Sequence, residues 1–304
     1  GRVSPGTSSG STTSADSPHG PDRRSRRGVI DQFFTRRTAV IPVRRFSPEY
    51  LRRTREGLWD RSTAALEPLS LPDRDRILDA GAGTGEFARV LADASPADVV
   101  CLDADTDLLG VAHEETGLDA VAGDATRPPF ADGAFDLVTC QALLVNLPEP
   151  TAALRAFGGL STELVAAVEP DNADVSVDST VDSEVDLERQ VRAAYIEGVG
   201  TDVAMGSRLE GLFRESGFGS IRTRRHYHRK VVEPPYDRAS LSAAARKASG
   251  AGLADHETEL RRVLSADEYD AVRSEWREMG RAVVDAMRAG TYRRVEVVPF
   301  DVVV

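Results

Sequence analysis

A chain of 304 residues, 41% of them hydrophobic, holds enough apolar material for one large α/β domain with appendages or two small domains. The 49 aspartates and glutamates outnumber the 38 arginines and lysines, and this anionic balance argues against a whole-protein nucleic-acid binder. No stretch approaches the roughly eighteen consecutive apolar residues of a membrane span, and no charged start leads into the apolar run of a secretory signal, so a cytoplasmic globular protein is expected.

Residues 1–28 are rich in Gly, Ser, Thr, Pro and Asp and carry the cluster Arg23-Arg24-Ser25-Arg26-Arg27. That composition cannot bury a core and reads as a disordered tail. Residues 29–75 are expected to supply N-terminal lid helices. One begins at Ser47-Pro48-Glu49, with Ser47 as N-cap and Pro48 at the first helical position, and Leu51, Leu58, Trp59, Ala65 and Leu66 mark its apolar face. Tyr50, Arg52, Arg55 and Trp59 are its candidate lid residues, with core packing the rival role for Trp59.

The run Ile77-Leu78-Asp79-Ala80-Gly81-Ala82-Gly83-Thr84-Gly85-Glu86-Phe87-Ala88 reads as a buried strand, a three-glycine turn and a helix start. Glycines at alternate positions let the backbone approach a nucleotide-like ligand at the mouth of a helix. A dinucleotide fingerprint has glycine where this chain has Glu86, whose side chain would crowd the helix–strand contact and repel a pyrophosphate; NAD is therefore disfavoured. A second strand, Val99 to Asp103, ends in an acid twenty residues after Gly83, placed to accept both hydroxyls of a ribose. Ala120 to Ala122 closes a third strand, followed by Gly123-Asp124-Ala125. Phe135 to Gln141 forms a fourth, introduced by the Asp132-Gly133 turn. Cys101 and Cys140 fall inside these strands as small hydrophobes, so neither a disulfide framework nor a zinc site is expected. A fifth strand, Leu164 to Val168, ends in the polar tip Glu169-Pro170-Asp171-Asn172, where open α/β sheets bind ligands.

The stretch from Asp174 to Glu188 is acidic but lacks the glycine and spacing of a calcium loop, and reads as a solvated connection with no metal. Two amphipathic helices follow, one through Leu187, Val191, Ala194 and Tyr195, the other from a Ser207 to Glu210 capping box to Gly217. Ile221 to Val232 is a sixth strand. Its His226 and His228 share a face and are candidates for a general base, with an exposed basic face as the rival reading. Glu233-Pro234-Pro235-Tyr236 is similar to the motif of amino-methyltransferases of nucleic acids but lies in the wrong place, since that motif follows strand four. A helical insertion over about 237–290 has a Ser265 to Glu268 capping box and a stripe of Tyr269, Val272, Trp276, Val283 and Met287. That stripe covers the sheet or a substrate pocket, or makes a homo-oligomer contact. Tyr292 to Val304 suits a seventh, antiparallel strand.

The D-x-G-x-G-x-G loop at Asp79 to Gly85, with acids at the tips of strands two and three and Gln141 at the tip of strand four, resembles the class I S-adenosylmethionine (SAM) dependent methyltransferases. The likeness is good over residues 76–172. It implies a three-layer, Rossmann-like α/β fold over 76–304, with a seven-stranded sheet whose last strand is antiparallel. It also implies a cofactor, SAM, held at the methionine end by Asp79, Ala80, Gly81, Ala82, Gly83, Thr84 and Gly85. Asp103 and Ala104 would hold the ribose and Gly123, Asp124 and Ala125 the adenine, with Gln141 beside the cofactor. The acceptor is expected to be a small molecule, with His226, His228, Glu169 and Asp171 as candidate bases. The rivals are an RNA or tRNA methyltransferase using the basic 222–230 stretch, an NAD-linked oxidoreductase, and a SAM-binding protein without catalysis. Only Lys230 and Lys247 are lysines; arginine-borne positive charge with an acid excess suggests a salt-loving, haloarchaeal cell and a fold that loosens when salt is removed.

Overall fold

The computed structural model describes residues 46–304, apart from the side chain of Ser207; the expected tail and the first part of the 29–75 segment lie outside the described residues. Helix α1 (Pro48–Arg55) starts as expected, with the Ser47 hydroxyl accepting the Tyr50 amide. It is shorter than its apolar pattern implied. Leu58, Trp59, Ala65 and Leu66 are buried, but from turns and a 3-10 helix (Ala64–Leu69) rather than from one helical face.

A βαβ series follows: β1 (Arg76–Ala80), α2 (Glu86–Ala94), β2 (Asp98–Asp103), α3 (Thr106–Thr116), β3 (Asp119–Ala122), β4 (Phe135–Gln141), α4 (Pro150–Leu160) and β5 (Ser161–Pro170). Next come β6 (Ser176–Ser179), α5 (Asp182–Gly198), α6 (Leu209–Glu215) and β7 (Thr223–Val232). The helical insertion comprises α7 (Arg238–Ser249), α8 (Ala251–Ala254), α9 (Glu257–Leu260) and α10 (Ala266–Arg288), and β8 (Arg294–Val303) closes the chain. Strands β3-β2-β1-β4-β5 are parallel neighbours, and β8 runs antiparallel between β5 on one side and β7 on the other. This is the expected sheet with one strand more: β6 extends the β5 side of β8, pairing Ser176 to Val297.

Side chains alternate across the parallel strands and so feed two layers. Ile77 and Leu137 join Trp59, Phe87 and Leu91 on one face, and Leu78 and Val138 join Phe157, Leu209 and Phe213 on the other. A third cluster joins α5 to the insertion through Leu187, Tyr269, Val272 and Trp276. The expected Ser265–Glu268 capping box is present. Helices α7 and α10 approach so closely that a Cβ on Gly280 would lie 2.2 Å from the Ala248 nitrogen. Helix α6 has Arg208, not Ser207, at its N-cap, after a 3-10 turn (Gly206–Arg208).

The acidic connection from Asp174 to Glu188 is solvated only in part: Asp174, Asp178, Asp182 and Asp186 are exposed, whereas Glu184 and Glu188 turn inward. It forms β6 and the start of α5, and Glu184 is fully buried. Its carboxylate accepts the Tyr292 hydroxyl at 3.0 Å and pairs with Lys247, while Glu188 takes Lys247 at 2.6 Å and Arg294 at 2.7 Å. Burial alone would raise the Glu188 carboxyl, but Lys247 and Arg294 outweigh it and hold the group at about 2. Charges from α5, α7 and β8 thus compensate one another at the junction of insertion and sheet, which is the condition for burying them.

Candidate active site

The glycine loop leaves the tip of β1 with positive φ at Gly81, Gly83 and Gly85. A Cβ at Gly81 would sit 2.7 Å from Leu143 Cδ1, and one at Gly83 would sit 3.0 Å from both Leu51 Cδ1 and Arg55 Nη1. Most of the loop's amides are consumed inside the protein. Those of Gly81 and Ala82 donate to the Leu102 carbonyl, that of Gly85 to the Ala82 carbonyl, and that of Gly83 to Asp103 Oδ2 at 2.8 Å. The Thr84 hydroxyl donates to Glu86, which occupies the first turn of α2. A pyrophosphate would therefore meet a carboxylate and few donors. The space suits a ligand without phosphate.

Asp79 is 1% exposed, and neither of its carboxylate oxygens makes a hydrogen bond of good geometry, the Ala88 amide pulling on it only weakly. Burial pushes its pKa up to about 7, against the pull of Arg55 and with the help of Asp103 and Glu86. Asp79 itself lines neither cavity, but a buried acid so poorly compensated, two residues before the cavity-lining Gly81, fits a ligand that brings positive charge to the loop. Arg55, on α1, acts on Asp79 through its charge and lies 3.7 Å from Glu86.

A cavity of about 500 Å³ opens between these strand tips. Gly81, Asp103, Ala104, Gly123, Asp124 and Ala125 line it. Of the residues from Asp79 to Gly85 only Gly81 lines it; Ala80, Ala82, Gly83, Thr84 and Gly85 are buried. Asp103 Oδ1 accepts the Asp105 amide, so its carboxylate shapes the β2–α3 turn while facing the cavity. Asp124 accepts the amide and hydroxyl of Thr126, and the amide bond chiefly lowers its pKa.

Gln141 belongs to a second cavity of about 390 Å³. Its Oε1 accepts the Trp59 indole N–H at 2.9 Å, which makes Trp59 a core residue that orients Gln141. Tyr50, Val145, Arg192, Lys230 and Trp276 also line this second space. The two cavities share Phe46, Leu51, Arg55, Ala142 and Asn146. Of the candidate lid residues, Tyr50 and Arg55 line cavities and Arg52 pairs with Glu115 on α3.

The four candidate bases are placed elsewhere. Glu169 is fully buried and accepts the amides of Leu143, Leu144 and Val145, so it holds the turn after β4 rather than a substrate. Burial raises it to about 7 despite those bonds. Asp171 pairs with Arg225, which Asp301 and Asp174 also hold. His226 bonds the Leu58 carbonyl, lies tilted against Trp59 with ring centres 4.7 Å apart, and faces a surface groove beside Ser62. His228 is 3% exposed, and burial depresses it to about 4. None of the four lines either cavity, and the buried His228 corrects the reading of an exposed basic face. The residues that sequence reasoning missed at the second cavity are Arg192 and Lys230. A signal for Arg192 existed in its place beside Val191, four residues after Glu188, on the flank of the apolar face of α5.

Residues 78–159 match the family described as a methyltransferase domain. The demethylmenaquinone methyltransferase of Beutenbergia cavernae is 43% identical over 100 residues, 33% of this chain and 40% of that protein. Its namesake in Renibacterium salmoninarum is 46% identical over 80 residues, 26% of this chain and 33% of that one. The match thus spans less than half the length of these curated relatives. Among solved structures, a putative methyltransferase from Bacillus halodurans is 18% identical with a TM-score of 0.46, covering 79% of this chain and 98% of that one. The sheet order and the matched domain together give the class I methyltransferase fold that the glycine loop led us to expect.

Proposed function

We propose that this protein is a SAM-dependent methyltransferase whose first cavity holds the cofactor and whose second holds a small-molecule acceptor. The observation that carries the reading is the shared wall: one cavity faces Asp103 and Asp124, the other is walled by rings from Tyr50, Tyr195, Trp276 and Phe300 with a charged end at Glu188, Arg192, Lys230 and Glu296, and both meet at Phe46, Leu51, Arg55, Ala142 and Asn146. When bound, the cofactor supplies a methyl group already activated on a sulfonium. The protein then has to align an acceptor lone pair with that methyl and exclude water, and positioning of this kind contributes roughly 7–11 kcal/mol.

In this reading the loop from Gly81 to Gly85 and Asp79 hold the methionine end, Asp103 the ribose, and Asp124 and Ala125 the adenine. Helix α1 acts as a lid over both spaces and the 237–290 insertion, through Trp276, shapes the acceptor pocket. The basic 222–230 stretch gives the RNA alternative little support: Arg222, Arg224, Arg225 and Lys230 are all engaged by Pro68, Glu67, Asp301 and the end of α1. The acid excess supports a salt-rich cytoplasm as the setting, with a melting temperature that falls as KCl is diluted from molar to tens of millimolar; an unchanged melting temperature counts against that setting.

Calorimetric titration with SAM, S-adenosylhomocysteine and NAD tests the assignment, with Asp103→Asn as control. Binding of the first two, weakened at least about tenfold in the variant, supports it. Binding of NAD alone refutes it. Binding without methyl transfer to any acceptor pool would leave a non-catalytic SAM-binding protein.

A further inference from the structure

Resting on the methyltransferase reading, the second cavity says more about what it accepts. Its walls offer rings from several elements: Tyr50 on α1, Tyr195 on α5, Trp276 on α10 and Phe300 on β8. Flat apolar faces from four directions favour a ring-bearing guest over a flexible polar one.

The charge at one end is unbalanced. Around it stand three carboxylates, Glu184, Glu188 and Glu296, and four cations, Arg192, Lys230, Lys247 and Arg294. Lys247 and Arg294 are shared among the glutamates. Lys230 donates to the Arg53 and Thr54 carbonyls and so caps α1; the nearby Arg53 and Glu56 charges oppose each other. Arg192 is the cation left over. Its side chain is 21% exposed, its Nη1 donates to the Val175 carbonyl at 3.1 Å, and its closest carboxylate oxygen, on Glu188, is 4.0 Å away. That oxygen is already taken by Arg294 at 2.7 Å. Burial also pushes Arg192 and Lys230 below their usual pKa ranges, the mark of positive charge without full compensation. An indole N–H with no described partner, on Trp276, belongs to the same wall.

We propose that the second cavity selects a ring-bearing apolar acceptor carrying an anionic oxygen group, such as a carboxylate or an acidic enol, and that Arg192 is the residue that anchors it. A guanidinium with unused donors in a half-dry pocket binds an anionic oxygen strongly and directionally. The excess of one positive charge is neutralised by such a guest and worsened by an amine. Anchoring at the charged end leaves the rest of the ring system to extend along the apolar walls toward the partition shared with the cofactor cavity.

The test is calorimetry on the full chain, saturated with S-adenosylhomocysteine, using three probes of one shape: biphenyl-4-carboxylate, its neutral carboxamide, and the cationic biphenyl-4-ylmethylamine. The expected result is that the carboxylate binds at least about tenfold more tightly than the carboxamide and the amine most weakly. Arg192→Met should abolish the preference while leaving S-adenosylhomocysteine affinity within about twofold, and Arg192→Lys should retain part of it. Equal binding of all three probes, tightest binding of the amine, binding of none, or an undiminished preference in Arg192→Met would each overturn the proposal. If Arg192→Met does not fold, the lysine variant and the wild-type ranking decide. Failure of S-adenosylhomocysteine to bind would refute the methyltransferase reading instead, and the probe ranking, repeated without it, would still decide the role of Arg192.

Discussion

Asp79 gives the sharpest test of how the cofactor cavity works. Its carboxyl is 1% exposed, makes no hydrogen bond of good geometry, and is raised to about 7 mainly by burial, which outweighs Arg55 and a weak pull from the Ala88 amide. An acid raised in the folded state holds its proton there while the unfolded chain has already released one. Stability therefore falls as pH rises from the ordinary carboxylate range, near 3.8, to about 7. A shift of this size corresponds to at most about 4 kcal/mol, at roughly 1.36 kcal/mol per unit. Asp79→Asn should consequently equal or exceed the wild type in ligand-free stability at pH 8 and lose that advantage at pH 4. Urea unfolding across this range measures it, and the difference between the two proteins cancels the other titrating groups. A cationic ligand beside Asp79 favours the carboxylate, so SAM should bind with release of a proton. Its affinity should fall by up to about tenfold per unit below pH 7. Calorimetry in two buffers of different ionisation enthalpy detects that proton, and Asp79→Asn should lose it. A variant less stable than wild type at pH 8, together with SAM binding that releases no proton and is flat from pH 5 to 8, would refute the reasoning.

Other perturbations test the frame around the site. Glu169→Ala orphans the amides of Leu143, Leu144 and Val145, at about 1–3 kcal/mol each; a loss of at least about 3 kcal/mol is expected in denaturant unfolding, with Glu169→Gln milder. Lys247→Met leaves Glu184 and Glu188 short of a cation in a buried cluster, which costs about 3–5 kcal/mol, and adding Glu188→Gln should restore part of the loss. Gly81→Ala combines a φ of 71° with a Cβ 2.7 Å from Leu143; a penalty of about 1–2 kcal/mol from the backbone alone should appear as a lowered melting temperature and weaker SAM binding.

The parallel half of the sheet was legible because its strands are short, apolar and bounded by turn residues, and each tip ends in a polar residue at βαβ spacing. The capping box at Ser265 and the stripe from Tyr269 to Met287 were legible for the same reason: local hydrogen bonds and a 3.6-residue period leave a trace in adjacent positions. Strand β6 and the fate of Glu184 were not. A run of acids with serines and valines has the composition of a loop, and only the distant Lys247, Tyr292 and Arg294 allow the carboxylates of Glu184 and Glu188 to be buried. Glu169 misled for a related reason. A polar residue at a strand tip points equally well to substrate or to the turn beside it, and the orphan amides after Gln141 decided for the turn.

The same logic divides the two cavities. The first is built by the ends of β1, β2, β3 and β4, which lie within one contiguous stretch of chain, so that a short motif and its downstream spacing describe it. The second draws on Tyr50, Asn146, Arg192, Lys230, Trp276 and Phe300, residues spread across nearly the whole described chain. No periodicity links them, because each is one position of an element whose pattern is explained by its own packing: Trp276 by the stripe of α10, Arg192 by the flank of α5, Lys230 by strand alternation in β7. What marks them as a site, on the proposed reading, is that the charge of Arg192 is left over when the fold brings them together. On the proposed reading, acceptor choice is set by segments appended to the half that holds the glycine loop, and their reshaping would redirect the chemistry without disturbing that loop.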